Sequence, residues 1–150
     1  MKLTSSAFKH QEYIPRLYTC DGGNISPPFD IHNVPEGTKS LALIMEDPDV
    51  PKHIRDDRMW DHWIIFNIPP DTSRFIEGEE PPGLHGIGTG HNLKYYGPCP
   101  PDGEHRYFFK LFALDVMLKL PEKSTKLELE SAMKGHIIAK TELIGIYGRK

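Results

Sequence analysis

The sequence lacks a long apolar run and an excess of basic residues, and each absence excludes a class of protein. No apolar stretch in its 150 residues approaches the roughly 18 that a membrane-spanning helix needs, and residues 1–10 lack the apolar block of a signal peptide. The 18 Lys and Arg are scattered and face 21 Asp and Glu, for a net charge of −3, whereas nucleic-acid binders cluster basic residues against phosphates. We therefore expect a cytoplasmic protein with no transmembrane segment and no nucleic-acid partner.

Cysteine is scarce as well, because the chain contains only Cys20 and Cys99. Disulfides follow the redox compartment, and no export signal is apparent, so we expect both residues to be reduced thiols. A nucleophilic Cys99 beside a histidine is an alternative. Its position between two prolines favours a structural role instead.

Several motifs of known chemistry are missing. There is no G-x-S-x-G nucleophile elbow, and the glycines of residues 86–90 are followed by prolines rather than by the helix that a nucleotide loop requires. The eight histidines show no metal-ligand spacing, so we expect neither a metal nor a cofactor. One alternative stays open, a two-histidine, one-carboxylate set made of Asp47, His62 and His105.

What the sequence does contain predicts a single domain over residues 1–150, mainly β. With 13 Gly, 14 Pro and 10% aromatic residues, it favours turns and strands around one core. A capping box of Thr125 and Glu128 begins one helix, predicted over residues 125–139, with Leu129, Met133 and Ile137 on one face. Several strands and one late helix indicate an antiparallel sandwich or barrel. The strands are predicted at residues 39–47, 60–69, 104–115 and 141–148, with weaker ones at 2–8, 13–15 and 29–32.

Polar residues end the apolar stripes of three of these strands. Alternation places Asp47 after Leu41, Leu43 and Met45; His62 with Ile64, Phe66 and Ile68; and His105 and Tyr107 with Phe109, Leu111 and Ala113. A tight loop joins the strands of Asp47 and His62, so both side chains are expected at one end of the sheet. The pattern predicts a polar mouth on an apolar core.

The chemistry of that mouth suits a small anion. Two imidazoles, a phenol and a carboxylate supply hydrogen-bond donors and a group that can keep a histidine charged. Free backbone N–H groups around Gly97 could point toward the same anion. Two alternatives stay open: an enzyme in which His62 or His105 is a general base, acting as a hydrolase or with a bound metal, and an interaction scaffold that uses a surface outside the pocket.

Four segments in order resemble one known family, the phosphatidylethanolamine-binding proteins, and within it the bacterial and archaeal Raf kinase inhibitor-like branch. The likeness covers nearly the whole chain. It rests on YTCDGGNISPP at 18–28, DPDVP at 47–51, WDHW at 60–63, and YGPCPP at 96–101 followed by GEHRY at 103–107.

The resemblance implies a Greek-key β-sandwich with one or two short helices near the C-terminus and a small anion pocket at one end. It places the ligand-binding residues at Asp47, His62, His105, Tyr107, Gly97 and Pro98, with Asp49, Pro51 and Trp60 supporting the pocket. It further implies a non-enzymatic protein that binds a phosphate-bearing head group or an inorganic anion and modulates a protein kinase or protease. A homodimer is compatible with this branch, although no stripe in the sequence identifies an interface.

Overall fold

The computed structural model describes residues 1–149, and within them the chain forms nine strands, one α-helix and one 3-10 turn. The strands are β1 Lys2–Thr4, β2 Glu12–Tyr13, β3 Phe29–His32, β4 Ser40–Asp47, β5 Trp60–Ile68, β6 Arg74–Phe75, β7 Leu84–His85, β8 Glu104–Leu114 and β9 Ile137–Gly148. Helix α1 spans Lys126–Met133, and the 3-10 turn spans Arg16–Tyr18. Among these residues, no helix has the length and apolar character needed to cross a membrane.

The strands form two sheets, a six-stranded one in the order β2-β9-β8-β4-β5-β7 and a three-stranded one in the order β1-β3-β6. Every pairing is antiparallel except that of β2 with β9, which is parallel. The mainly β prediction is confirmed, but the expectation of a wholly antiparallel arrangement is wrong at this one edge. The Greek-key connectivity stays a prediction.

Two apolar clusters cover the two faces of the large sheet. One lies between the sheets, where the rings of Phe29 and Phe109 have their centroids 4.9 Å apart. The other packs the opposite face against the helix through Leu129 and Met133. The long central strands β4 and β8 therefore have apolar residues on both faces, which explains their nearly continuous apolar sequence.

The predicted helix is shorter than expected at its C-terminal end. The capping box is confirmed, since Glu128 N–H donates to Thr125 Oγ1 and the Glu128 carboxylate accepts from Thr125 N–H. The helix ends at Met133, and Gly135 adopts a left-handed φ of +83°. Ile137 was expected on the helix face, which is wrong: it begins β9, where it pairs with Leu114.

The expectation of reduced cysteines is also wrong, because Cys20 and Cys99 form a disulfide with their Cα atoms 5.4 Å apart. The loops that carry them are held together by other contacts. Cys20 N–H donates to the Pro98 carbonyl (3.1 Å), and the Tyr95 hydroxyl donates to the Tyr18 carbonyl (2.7 Å). The disulfide joins cysteines 79 residues apart in the sequence, a proximity that local sequence patterns do not reveal.

Candidate functional site

A pocket of about 260 Å³ opens at the end of the large sheet where β4 ends and where β5 and β8 begin. It is small compared with the 300–1,000 Å³ of typical drug-sized sites, so it suits a ligand of few atoms. Most of its wall is apolar or aromatic, and the ionisable groups come from the strand ends. Its lining residues are Asp47, Val50, Ile54, Trp60, His62, Tyr96, Cys99, Pro101 and Tyr107.

Asp47 contributes a carboxylate that is almost completely buried, with 3% of the residue exposed. It follows Leu43 and Met45, which lie in the core between the sheets, so alternation along β4 placed it correctly. Its Oδ1 accepts the Asp49 N–H at 2.7 Å, and its Oδ2 accepts from His105 Nδ1 at 2.7 Å. A buried carboxylate needs such donors to stay ionised.

His105 does not line the pocket, but it is hydrogen-bonded to Asp47, which does. Its Nε2 lies 3.3 Å from Asp102 Oδ1, so each ring nitrogen faces a carboxylate. Burial acts to lower the pKa of His105, but the hydrogen bond and charge of Asp47, with help from Asp102 and Asp49, more than offset it and raise that pKa. The charged imidazolium is therefore favoured and neutralises Asp47.

His62 reaches the pocket because β5 contains a bulge. Met45 pairs with Trp63, but the next residue, Glu46, pairs with Asp61, which leaves His62 as the extra residue of the strand. Strict alternation predicts His62 on the face of Ile64, and that prediction is wrong. Bulges redirect side chains, and here His62 turns toward Tyr107, with ring centroids 5.4 Å apart.

A second prediction for β5 is also wrong, because Ile68 does not share a face with Ile64 and Phe66. Ile64 and Phe66 pack in the cluster on the helix side, whereas Ile68 lies in the core between the sheets. A further register shift, opposite Leu41 and Leu43, places one extra residue on β5 between Ile65 and Ile68 and accounts for this change of face. Asn67, directly before Ile68, has a left-handed φ of +52°.

The protonation of His62 follows from its surroundings. Its Nδ1 lies 2.7 Å from the Tyr96 carbonyl oxygen, and since a carbonyl only accepts, Nδ1 carries the hydrogen. Burial lowers the pKa of His62, against the opposing effects of Tyr96 and Asp47. The neutral ring therefore presents Nε2 as an acceptor, and the two imidazoles differ: His105 favours the charged form and His62 the neutral form.

Tyr107 lies two residues after His105 on β8, and the two rings are nearly parallel, with centroids 6.4 Å apart. Alternation along β8 placed both correctly, since Phe109 and Leu111 continue the same face into the core. Burial, and then the neighbouring Asp47 carboxylate, raise the pKa of the Tyr107 hydroxyl. The phenol stays protonated and can donate a hydrogen bond.

The predicted supporting residues take different positions. Trp60 lines the pocket directly. Asp49 holds two segments together, because its carboxylate accepts from Arg106 Nε at 2.9 Å, Arg106 Nη2 at 2.8 Å and the Arg106 N–H at 2.8 Å. Pro51 does not line the pocket; its carbonyl accepts from the Ile54 N–H at 2.9 Å and so fixes a lining residue.

Gly97 and Pro98 were expected on the rim, and the structure assigns them another role. Gly97 N–H is not free for an anion, because it donates to Asn24 Oδ1 at 2.8 Å. The Pro98 carbonyl accepts from Cys20. Both residues are buried beside the disulfide, outside the pocket lining.

The sequence interpretation did not assign five wall residues to the pocket: Val50, Ile54, Tyr96, Cys99 and Pro101. Val50 lies in the DPDVP segment and Tyr96 in the YGPCPP segment. Their apolar or aromatic character within these motifs was the signal that could have indicated a pocket wall. Ile54 follows the Asp47–Pro51 loop without any such signal. Pro101 lies in the proline-rich segment 98–101, close to Gly97, where the prediction concerned backbone N–H groups and not side chains that line the pocket.

A model of the family described as phosphatidylethanolamine-binding protein matches residues 4–148. The chain belongs to the phosphatidylethanolamine-binding protein family. A UPF0098 protein of Chlamydia muridarum is 48% identical over 147 residues, 98% of each chain. A UPF0098 protein of the archaeon Methanothermobacter thermautotrophicus is 46% identical over 155 residues, 99% of each.

Solved structures agree with this family assignment. A crystal structure described as a phosphatidylethanolamine-binding protein homologue, from Chlamydia trachomatis, matches with a TM-score of 0.97 at 47% identity, covering 99% of this chain and 97% of the other. Escherichia coli YbcL, described as a new member of the mammalian family, matches with a TM-score of 0.88 at 29% identity, covering 99% and 98%. The relatives of this phosphatidylethanolamine-binding protein family member thus include bacterial and archaeal chains.

The alternative of a metal site in this family member is not supported by its geometry. Within residues 1–149, no group of three His, Cys, Asp or Glu side chains is arranged to hold a metal ion. The Nδ1 of His105 donates to Asp47 and the Nδ1 of His62 donates to Tyr96. Each ring is thus oriented by a hydrogen bond, and of the ring nitrogens of these two histidines only the Nε2 of His62 can accept from a pocket ligand.

Proposed function

We propose that the protein binds a small phosphate-bearing ligand, such as phosphoethanolamine or inorganic phosphate, without transforming it. One observation carries the proposal: an apolar pocket of about 260 Å³ has a polar end made of the Asp47 carboxylate, the neutral His62 imidazole and the Tyr107 phenol. The apolar wall excludes water and strengthens hydrogen bonds at the polar end. The polar groups fix the ligand's orientation.

The family supports a ligand of this class. The family model that matches residues 4–148 is described as phosphatidylethanolamine-binding, and the head group of that lipid carries a phosphate. In this chain the Tyr107 hydroxyl can donate to a phosphate oxygen, and His62 Nε2 can accept from a protonated one. Inorganic phosphate and phosphoethanolamine have the few atoms that such a small pocket requires.

Binding rather than catalysis is supported by what lines the pocket. The lining residues include no serine, threonine or lysine, and Cys99 is in a disulfide, so the pocket offers no aliphatic hydroxyl, amine or free thiol as a nucleophile. Both nitrogens of His105 face carboxylates, so its proton is held rather than exchanged. A pocket of this kind can recognise a ligand and stay unchanged.

A second candidate, hydrolysis, rests on His62. Its neutral ring with Nε2 as an acceptor could take a proton from a water molecule, as a general base does. Turnover of phosphomonoesters or carboxylic esters by the wild type, lost in His62→Ala, would support this candidate. Absence of turnover with a ligand-saturated pocket would support simple binding.

Histidine NMR tests the proposal directly. We expect inorganic phosphate, and separately O-phosphoethanolamine, to shift the His62 and His105 resonances saturably in the wild type. The control variant is His136→Ala, which removes an exposed histidine at the far end of the sheet and should leave those shifts unchanged. Loss of the His105 shift in His62→Ala would locate the ligand in the pocket. Unchanged resonances at high ligand concentration would contradict the proposal.

A protein partner of the kinase or protease class stays a prediction. If such a partner uses this pocket, phosphate should compete with it. If it uses another surface, a pocket variant such as His62→Ala should still bind it. The two outcomes separate a ligand-controlled modulator from an interaction scaffold.

A further inference from the structure

The disulfide between Cys20 and Cys99 lies beside a positive charge. Arg149 follows β9, and its Nη2 is 3.0 Å from Cys20 Sγ and 3.2 Å from Cys99 Sγ. The Asp21 carboxylate shares this guanidinium and fixes its position, at 3.2 Å from Nε and 3.0 Å from Nη2. A neighbouring cation lowers the pKa of a thiol and favours its thiolate. Cleavage of the S–S bond would therefore produce a thiolate that already has a partner.

Hydrogen bonds hold the two cysteine-bearing loops together independently of the disulfide. Cys20 N–H donates to the Pro98 carbonyl at 3.1 Å, and Gly97 N–H donates to Asn24 Oδ1 at 2.8 Å. The two sulfurs would therefore stay close to each other after reduction. Both cysteines are also partly exposed, so a reductant can reach them in the folded protein.

The disulfide also restrains one wall of the pocket. Cys99 lies in the segment 96–101, which supplies the wall residues Tyr96, Cys99 and Pro101. The Tyr96 carbonyl also orients His62, because it accepts from Nδ1 at 2.7 Å. Reduction would remove the covalent link between this segment and the loop of Cys20. The redox state of the cysteines should therefore be visible at the pocket.

We propose that the Cys20–Cys99 disulfide is a reversible thiol–disulfide exchange site in the pocket wall, which a dithiol reduces while the protein stays folded. Arg149 assists the exchange by stabilising the thiolate that leaves. Reduction changes the surroundings of His62. The inference does not rest on the ligand proposed for the pocket, because every measurement that tests it is made without that ligand.

The exchange consists of two substitutions at sulfur. One thiolate of the dithiol attacks Sγ of one cysteine, and the S–S bond breaks with its electron pair on the other sulfur, which leaves as a thiolate beside Arg149. The second thiolate of the dithiol then attacks the mixed disulfide and releases the first cysteine. The dithiol is thereby oxidised to a disulfide by two electrons, and its two protons pass to the cysteines or to the solvent. A thiol of lower pKa leaves faster, so Arg149 should accelerate the first step.

Thiol trapping measures the exchange in the intact chain. The oxidised protein is treated with dithiothreitol at neutral pH, well below its melting temperature, and free thiols are alkylated at intervals and counted by mass spectrometry. The chain has only two cysteines, so the count is unambiguous. NMR spectra taken in parallel follow the fold and the His62 resonances. We expect full reduction with a folded spectrum, a shift of the His62 resonances, and recovery of the disulfide in oxidised glutathione.

Three variants test the role of Arg149. Arg149→Gln should slow reduction by about three- to tenfold, because the leaving thiolate loses its cation. After reduction it should also slow alkylation by iodoacetamide, which reacts with thiolates and would not respond to a merely structural residue. Arg149→Lys keeps a cation and should restore part of both rates. Arg16→Gln is the matched control, since Arg16 Nε donates to the Asp21 carbonyl at 2.9 Å rather than to a sulfur, and it should react like the wild type.

Each contrary outcome overturns a stated part of the proposal. Reduction that proceeds only as fast as global unfolding would show a purely structural disulfide. Equal reduction and alkylation rates in Arg149→Gln and the wild type would overturn the role of Arg149. Unchanged His62 resonances after reduction would overturn the link to the pocket. If Arg149→Gln failed to fold, the wild type would still decide whether exchange occurs, and Arg149→Lys would carry the comparison.

Discussion

The Nδ1–H of His105 donates to the Asp47 carboxylate across 2.7 Å, and about 4% of each side chain is exposed. Removing the imidazole would leave a buried negative charge without its main partner. We expect His105→Ala to lower the free energy of unfolding by about 3–5 kcal/mol, the usual cost of breaking a buried ion pair. Urea denaturation measures this loss.

The control for that variant is a similar pair at the surface. His136 and Asp115 lie 2.9 Å apart, but both side chains are exposed. His136→Ala should therefore cost less than about 1 kcal/mol. Equal losses in the two variants would show that burial does not strengthen the Asp47–His105 pair.

The same pair predicts a loss of stability at alkaline pH. The pKa of His105 is raised in the folded protein, so the folded state holds the proton more tightly than the unfolded chain does. The resulting stabilisation is fully present below the unfolded pKa of about 6.5 and is lost as pH rises through the folded pKa. Denaturation at a series of pH values should show this decline in the wild type and a smaller one in His105→Gln.

His62 predicts the opposite dependence. Burial lowers its pKa, so the unfolded chain takes up this proton more readily than the folded protein. Its contribution is present above the unfolded pKa of about 6.5 and is lost as pH falls through the folded pKa. In His62→Gln, acidification should therefore destabilise the protein less than in the wild type. An equal acid dependence in both proteins would contradict a buried, neutral His62.

Asp49 is expected to act on the pocket through Asp47. Its N–H donates to Asp47 and its carboxylate binds the Arg106 side chain and backbone. Because this ion pair is partly exposed, Asp49→Asn should cost only about 1 kcal/mol of stability, but it should shift the His105 resonances and weaken phosphate binding. Asp57→Asn breaks the exposed Arg55–Asp57 pair and should leave both readouts unchanged. Identical spectra for the two variants would exclude this positioning role.

The disulfide should contribute more to stability than any single surface contact. It closes a loop between residues 79 apart, and cross-links of long loops typically contribute about 2–5 kcal/mol. Thermal melts with and without a dithiol reductant should differ accordingly in the wild type. In the Cys20→Ser/Cys99→Ser double variant, the melting temperature should be low and insensitive to the reductant.

Sequence patterns predicted the parts of the molecule that depend on local alternation. The stripes of β4 and β8 lead directly to Asp47 and Tyr107, because neither strand is interrupted before those residues. His62 lines the pocket but was assigned to the wrong face, since a bulge has no clear signature in a single strand's sequence. The end of the helix was missed because Ile137 also fits a strand, and only its pairing with Leu114 decides between the two.

Contacts between distant loops were the least predictable features. Gly97 was expected to offer a free N–H, but Asn24 accepts it, and that partner comes from a loop far earlier in the chain. The same two loops carry Cys20 and Cys99. Their proximity follows from the packing of the whole fold, which no short window of sequence describes.

The disulfide also makes the chain a closed ring with two tails. The ring contains β3 to β7, whereas β8 and β9 lie on the tail that follows Cys99. A protease that cuts once inside the ring would leave both fragments covalently joined, and only reduction would separate them. The pairing of β4 with β8 therefore joins the ring to the tail that follows Cys99. A force that pulls the two chain ends apart would act on the hydrogen bonds between these two strands. The ring itself would stay closed.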